Sequence, residues 1–209
     1  LRNAAIALAE RCGYIGAGTV EFIVDLDRNQ FFFIEMNTRI QVEHPVSEMV
    51  TGIDLVAAQL RIAGGESLRW GQEQITHSGH SIECRINAER PERNFMPSPG
   101  KIETFIPPSG TSVRCDTHCF SGYTVPPNYD SLIAKVIVHG KDREEAVTRM
   151  RQALSEFQIE GISTTIPLHL ALLNDQEFLD GQYNTRWMEQ KFMQRFSEQL
   201  RASAVANAG

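Results

Sequence analysis

The chain of 209 residues holds only four cysteines, Cys12, Cys84, Cys115 and Cys119, at irregular spacing. That is too few for a disulfide framework, and it leaves them as reduced packing thiols. Cys115, His118 and Cys119 include zinc-ligand types, but no second pair stands at finger-like spacing to complete a tetrahedral site. The sequence also lacks the roughly 18-residue apolar run of a membrane span and the charged-then-apolar amino terminus of a signal peptide. Neither is expected, and the default compartment is cytoplasmic. A basic surplus is missing too: the net charge is -6 and the pI near 5.5. This argues against a broad nucleic-acid surface, so any anionic ligand must be held locally. With 42% hydrophobic and 22% charged residues, the composition is that of one or two ordinary globular domains.

What is present is organised around residues 31–45. Three phenylalanines, Phe31 to Phe33, open this run as a strand expected to be buried on both faces. Polar residues then alternate with apolar ones, with Glu35, Asn37, Arg39, Gln41 and Glu43 interleaved with Ile34, Met36, Ile40 and Val42. Successive side chains of an extended chain point to opposite faces, so the alternation gathers carboxylates, amides and a guanidinium on one side. A solvated strand face would produce the same pattern. The Asn37-Thr38-Arg39 break in the middle is not something a plain surface strand needs.

Read in order, residues 1–11 pattern as an amphipathic helix with no N-cap before it, as though cut from something longer. Glycines at 13, 16 and 18 make a turn into a strand from Thr19 to Val24. The polar connection Asp25 to Gln30 joins it to the phenylalanine-rich strand as an antiparallel hairpin, which places Glu21 across from Glu35. Opposed carboxylates repel unless a cation neutralises them. Magnesium favours a few carboxylate oxygens plus substrate phosphates, so Glu21 and Glu35, helped by Asn37, suit a metal-nucleotide site. The alternative is that one of the two acids simply faces solvent.

A single helix is expected from Pro45 to Ala63, with Ser47 or Thr51 as caps and Gly64-Gly65 as its stop. A polar connection then leads to a strand over His80 to Glu89, where Ile82, Cys84 and Ile86 share one face and Ser81, Glu83, Arg85 and Asn87 the other. Arg85 there is either a functional cation or half of a surface ion pair. Short strands follow at Lys101 to Ile106 and Thr111 to Arg114, and an apolar strand at Ser131 to His139. Helices are expected from the Asp142–Glu145 capping box, from Ser163 or Thr164 through Leu173, and from Thr185 to Leu200. Strands followed by helices make the class α+β, and the last residues read as a frayed tail.

The run Phe33-Ile-Glu-Met-Asn-Thr-Arg-Ile-Gln-Val-Glu-His-Pro45 resembles the signature of biotin carboxylases, a branch of the ATP-grasp superfamily. The resemblance continues through Gly79-His-Ser-Ile-Glu-Cys-Arg-Ile-Asn-Ala-Glu89, Pro97-Ser-Pro-Gly-Lys101 and Gly122-Tyr-Thr-Val-Pro-Pro-Asn-Tyr-Asp-Ser131. It implies the C-terminal part of an ATP-grasp domain at residues 1–65 and the biotin carboxylase C-terminal domain, an antiparallel sheet with helices, at 66–196. Residues 197–209 are left as a flexible tail. The family's N-terminal domain, glycine-rich lid and phosphate-clamping lysines would precede Leu1.

The implied reaction is ATP-dependent carboxylation of carrier-linked biotin by bicarbonate, through carboxyphosphate. By resemblance, Glu21 and Glu35 bind the nucleotide's Mg2+ or Mn2+, with Asn37 beside them. Glu43 is the general base for bicarbonate. Arg39, Gln41 and the backbone of Val42 complete the bicarbonate pocket, and Arg85 holds the biotin enolate. The implied partners are a biotin carboxyl carrier protein or domain, a carboxyltransferase component and a second copy of the chain, with neither nucleic acid nor membrane. The alternatives are another ATP-grasp ligase, or a non-catalytic binding or dimerisation module. For the isolated 209 residues, inactivity is expected.

Geometry adds one constraint. Eight residues of extended chain span roughly 26 Å, too far for Glu35 and Glu43 to serve one phosphoryl transfer. The strand is therefore expected to end near Asn37, with Thr38 to Glu43 curling back as loop.

Overall fold

The apolar alternation and the glycine stops set most of the element boundaries. The computed structural model describes residues 1–206, and its contacts divide the chain into two units, Leu1–Ser78 and Gly79 onward. In the first unit, helix α1 (Arg2–Arg11) starts at Leu1 without a side-chain cap. Strands β1 (Thr19–Asp25) and β2 (Gln30–Asn37) form a two-stranded antiparallel hairpin. The chain then continues in α2 (His44–Thr51) and α3 (Leu55–Ala63).

Two expectations fail in this unit. The single helix over 45–63 is two helices, because Gly52 takes a left-handed conformation (φ 72°) that ends α2 and favours glycine. Asp54 then caps α3, accepting from the Ala57 N–H at 2.7 Å. Neither Ser47 nor Thr51 caps the start of a helix. Nor are the phenylalanines buried: Phe31, Phe32, Phe33 and Ile34 are each about half exposed. The physical reason is that among the described residues no third strand extends the hairpin, so the rings of Phe31 and Phe33 pack edge-on against Phe22 at 5.5 and 6.4 Å rather than into a covered core.

The second unit is built on a three-stranded antiparallel sheet. Its strands come in the order β3 (His80–Asn87), β10 (Leu132–Gly140), β8 (Val113–Thr117). Between them in sequence lie four shorter strands, β4 (Glu89–Arg90), β5 (Met96–Pro97), β6 (Gly100–Lys101) and β7 (Thr104–Ile106), and then β9 (Thr124–Val125). β4 pairs with β5, β6 with β9, and β7 with β11 (Gln158–Glu160). Helix α4 (Arg143–Glu156) is capped by Asp142, which accepts from the Glu145 N–H. The reciprocal bond of a capping box falls one residue early, on the Lys141 N–H.

The core forms because Cys84, Ile86, Ala134, Val136 and Val138 all face α4 and meet its Ala146, Val147, Met150, Ala153 and Leu154. Sheet and helix approach closely at Gly140, where a Cβ would stand 2.6 Å from the Ala146 backbone nitrogen. On the opposite face a charged row crosses the sheet: Arg85 and Asp116 flank Lys135 in register. Arg114 grips Asp116 through two bonds at 2.7 and 2.8 Å.

After β11 come α5 (Ile166–Leu172), α6 (Gln176–Leu179), a π-helical turn (Met188–Phe192) and α7 (Met193–Ala206). Leu168, Trp187, Phe192 and Phe196 form a smaller second core there. Of the tail set apart at 197–209, residues up to Ala206 belong to α7, and 207–209 lie outside the described residues. Among the described residues no helix is long and apolar enough to cross a membrane.

Candidate active site

The hairpin positions the two carboxylates as the pattern predicts, with Glu21 opposite Glu35. A bulge at this point shifts the register, so Glu21 pairs with Glu35 while Phe22 pairs with Phe33, and Ile34 is left over. A bulge re-aims side chains. Here it lets both acids share a face while the Phe22 cluster occupies the other. Asn37 binds the acids together: its Nδ2 donates to Glu21 Oε1 at 2.9 Å and to Glu35 Oε1 at 3.4 Å. One amide nitrogen thus sits where two anionic groups converge.

Past Asn37 the chain leaves the sheet, and residues 38–43 form loop. Arg39 crosses this loop, donating from Nη1 to Gln41 Oε1 at 3.0 Å and to the Ile40 carbonyl at 3.2 Å, and from Nη2 to Asn37 Oδ1 at 3.5 Å. His44 donates from Nδ1 to the Gln41 carbonyl at 2.7 Å, pinning the loop to the start of α2. Arg39, Gln41 and Glu43 therefore line one cavity of about 350 Å3, closed on its other side by Ala17 to Thr19, His44, Ser47 and Leu55. Val42 lies between Gln41 and Glu43 in the same loop.

Arg85 belongs to the second unit, on β3, with its side chain exposed. The oxygen-rich set of Glu21, Glu35 and Asn37 fits a hard divalent cation. Among the described residues no group of three His, Cys, Asp or Glu side chains gathers as a metal site.

Three features were only partly legible, or not legible, in the sequence. The glycine-containing segment before β1 reads as a helix stop and a turn, and its Ala17, Gly18 and Thr19 form a wall of the cavity. Asn37 read as a neighbour of the acids and proves to bridge them. The third is what holds the backbone of Arg85: Thr165 and His169, some eighty positions away, both bond its carbonyl oxygen.

Comparison with known proteins supplies the context. The family described as biotin carboxylase C-terminal domain matches residues 83–190. The family described as carbamoyl-phosphate synthase L chain, ATP binding domain, matches residues 1–70. The chain is 56% identical to biotin carboxylase 1 of Bacillus subtilis over 187 residues, covering 90% of this chain and 42% of the relative. It is also 56% identical to the biotin carboxylase of Pseudomonas aeruginosa over 179 residues, covering 86% of this chain and 39% of that one. Among solved structures it is similar to the dimeric biotin carboxylase domain of Hydrogenobacter thermophilus 2-oxoglutarate carboxylase, crystallised with MgADP, ADP and bicarbonate. The TM-score is 0.85 at 51% identity, covering 89% of this chain and 41% of that one. The chain thus spans less than half the length of these relatives.

Proposed function

The chain belongs to the biotin carboxylase family, and from that premise we propose that it carries part of the active site of an ATP-dependent ligase that carboxylates carrier-linked biotin with bicarbonate. The observation that carries this reading is the cavity lined by Arg39, Gln41 and Glu43, next in sequence to the carboxylate pair bridged by Asn37. Residues 1–65 are read as the back of an ATP-grasp domain and 66–196 as the carboxylase C-terminal domain.

In this reading Glu21 and Glu35, with Asn37, hold the nucleotide's Mg2+ or Mn2+. A bound divalent ion supplies charge neutralisation to phosphoryl transfer. The Asn37 side chain, whose nitrogen reaches both acids, would offer its amide oxygen as a further ligand. Glu43 takes the bicarbonate proton, so that a bicarbonate oxygen attacks the terminal phosphate of ATP, breaking its bond to the bridging oxygen, releasing ADP and giving carboxyphosphate. Arg39, held by Gln41 and the loop backbone, presents a planar guanidinium matched to a carboxylate-shaped anion, and Gln41 and the Val42 backbone complete that pocket. Arg85 holds the biotin enolate, a developing oxyanion stabilised by fixed positive charge.

The partners of the whole protein are a biotin carboxyl carrier protein or domain, a carboxyltransferase component that owns the choice of acceptor, and a second copy in a homodimer. The 209 residues alone serve as a folded module without turnover.

The test separates the two half-reactions in the full-length protein. Glu43→Gln is expected to abolish both bicarbonate-dependent ATP hydrolysis and biotin carboxylation. Arg85→Ala is expected to spare much of the hydrolysis while impairing carboxylation, and equal loss of both by Arg85→Ala would refute its assignment to biotin.

A further inference from the structure

β3 is an edge strand of its sheet, paired with β10 on one side only. An edge leaves every second residue's N–H and C=O without a ladder partner, and in β3 the main chains of Arg85 and Asn87 point outward. Among the described residues no fourth strand meets them. Instead the start of α5 does: the Thr165 N–H donates to the Asn87 carbonyl at 3.1 Å, and the Asn87 N–H donates to the Thr165 hydroxyl at 3.0 Å. The hydroxyl in turn donates to the Arg85 carbonyl at 3.1 Å. One turn further along α5, His169 Nε2 reaches the same carbonyl at 2.8 Å. A carbonyl can only accept, so this ring nitrogen carries the proton. Thr165 is itself buried at 5% exposure.

The far side of the same strand end is tied as well. Asn87 Nδ2 donates to Ser131 Oγ at 3.0 Å and to the Glu89 carboxylate at 3.4 Å, and the Ser131 hydroxyl donates to Glu89. The Arg85 carbonyl is thus fixed by two side chains reaching it from a distant part of the sequence, while the Arg85 side chain itself is exposed.

From this geometry we infer that Thr165 and His169 are positioning residues for Arg85. By clamping its carbonyl, they set where the guanidinium meets its anionic substrate. The inference rests on the proposed role of Arg85 in binding biotin. Positioning errors are costly: a displacement of about 1 Å at a reacting group is worth up to about 10²-fold in rate.

The experiment uses the full-length protein, with free biotin as the probe for carboxylation. Thr165→Val removes the hydroxyl at nearly equal volume and His169→Leu removes the ring donor, whereas Thr165→Ser and His169→Gln keep a donor. The first two are expected to lower kcat/KM for biotin by about tenfold or more while bicarbonate-dependent ATP hydrolysis stays within about twofold. Thr165→Ser and His169→Gln are expected to recover most of the loss. Hydrogen exchange gives a readout independent of turnover, since the Asn87 amide should lose protection in Thr165→Val and keep it in Thr165→Ser. Parallel loss of both half-reactions, or no rescue by the donor-keeping variants, overturns the inference. So does wild-type biotin turnover in Thr165→Val and His169→Leu when Arg85→Ala remains defective, which leaves the functional reading standing. An Arg85→Ala variant with unimpaired carboxylation overturns that reading and the inference with it.

Discussion

Glu21→Gln offers a test in which the sign of the effect carries the answer. The oxygens of Glu21 and Glu35 meet one amide nitrogen at 2.9 and 3.4 Å, so they lie no more than roughly 6 Å apart. Both side chains are exposed, so water's dielectric applies, and two unit charges at that distance repel by about 0.7 kcal/mol. Salt lowers this further. Glutamine keeps the oxygen that accepts from Asn37 and removes the charge. In EDTA the variant is therefore expected to gain about 0.5 kcal/mol, a rise of about 2–4 °C in the melting of a unit this size. With Mg2+ and ADP the sign should reverse. A lost carboxylate ligand weakens the cation by tenfold or more, each tenfold being about 1.4 kcal/mol, and ligand-induced stabilisation falls with it. Differential scanning calorimetry of wild type and Glu21→Gln under the two conditions measures both arms. A variant less stable than wild type in EDTA, or one with an undiminished Mg2+-ADP shift, would refute the account of Glu21 and Glu35 as a cation pair.

Three further outcomes are expected. Gly140→Ala forces a methyl to 2.6 Å from the Ala146 nitrogen and 3.0 Å from the Glu145 carbonyl carbon. Helix backbone cannot yield there, so the urea midpoint should fall by the equivalent of about 1–3 kcal/mol at unchanged slope. Cys12 is exposed, whereas burial pushes the thiol of Cys84 up to about 12 and that of Cys115 up to about 11, and raises Cys119 as well. A thiol-disulfide reagent at about pH 8 should accordingly modify Cys12 quickly and the other three only on unfolding. Burial alone would raise the Asp116 carboxyl, but the hydrogen bonds and charges of Arg114 and Lys135 outweigh it and hold the pKa below the ordinary value. Its contribution is thus present above the unfolded carboxylate value of about 3.9 and is lost as pH falls through the folded one. Asp116→Asn should cost up to about 1 kcal/mol at neutral pH, and the gap should narrow in urea titrations as pH falls below about 3.9.

Where the sequence was legible, the reason was local. Period-2 alternation marked β3, and polar residues between two β-rich runs marked the hairpin. That Glu35 and Glu43 cannot serve one reaction along a straight strand already required the turn after Asn37. The misreadings were equally physical. The apolar pattern runs through residues 45–63 without a gap, and only the left-handed backbone at Gly52 breaks it into α2 and α3. Three consecutive phenylalanines say that a strand is apolar, but not whether anything covers it.

By itself, then, the sequence determined the family, through the resemblance of its motifs to the biotin carboxylase signature, and it determined the α+β class and the spacings of the acids, amides and arginines, because these follow from side-chain chemistry and short-range periodicity. The tertiary structure decided what joins them. The bulge that turns Glu21 toward Glu35 depends on how two strands register. The cavity around Arg39, Gln41 and Glu43 needs the glycine turn folded against the loop. The clamp of Thr165 and His169 on Arg85 brings together groups about eighty residues apart, a pairing that no local pattern encodes because it depends on an edge strand meeting a helix start on its open side.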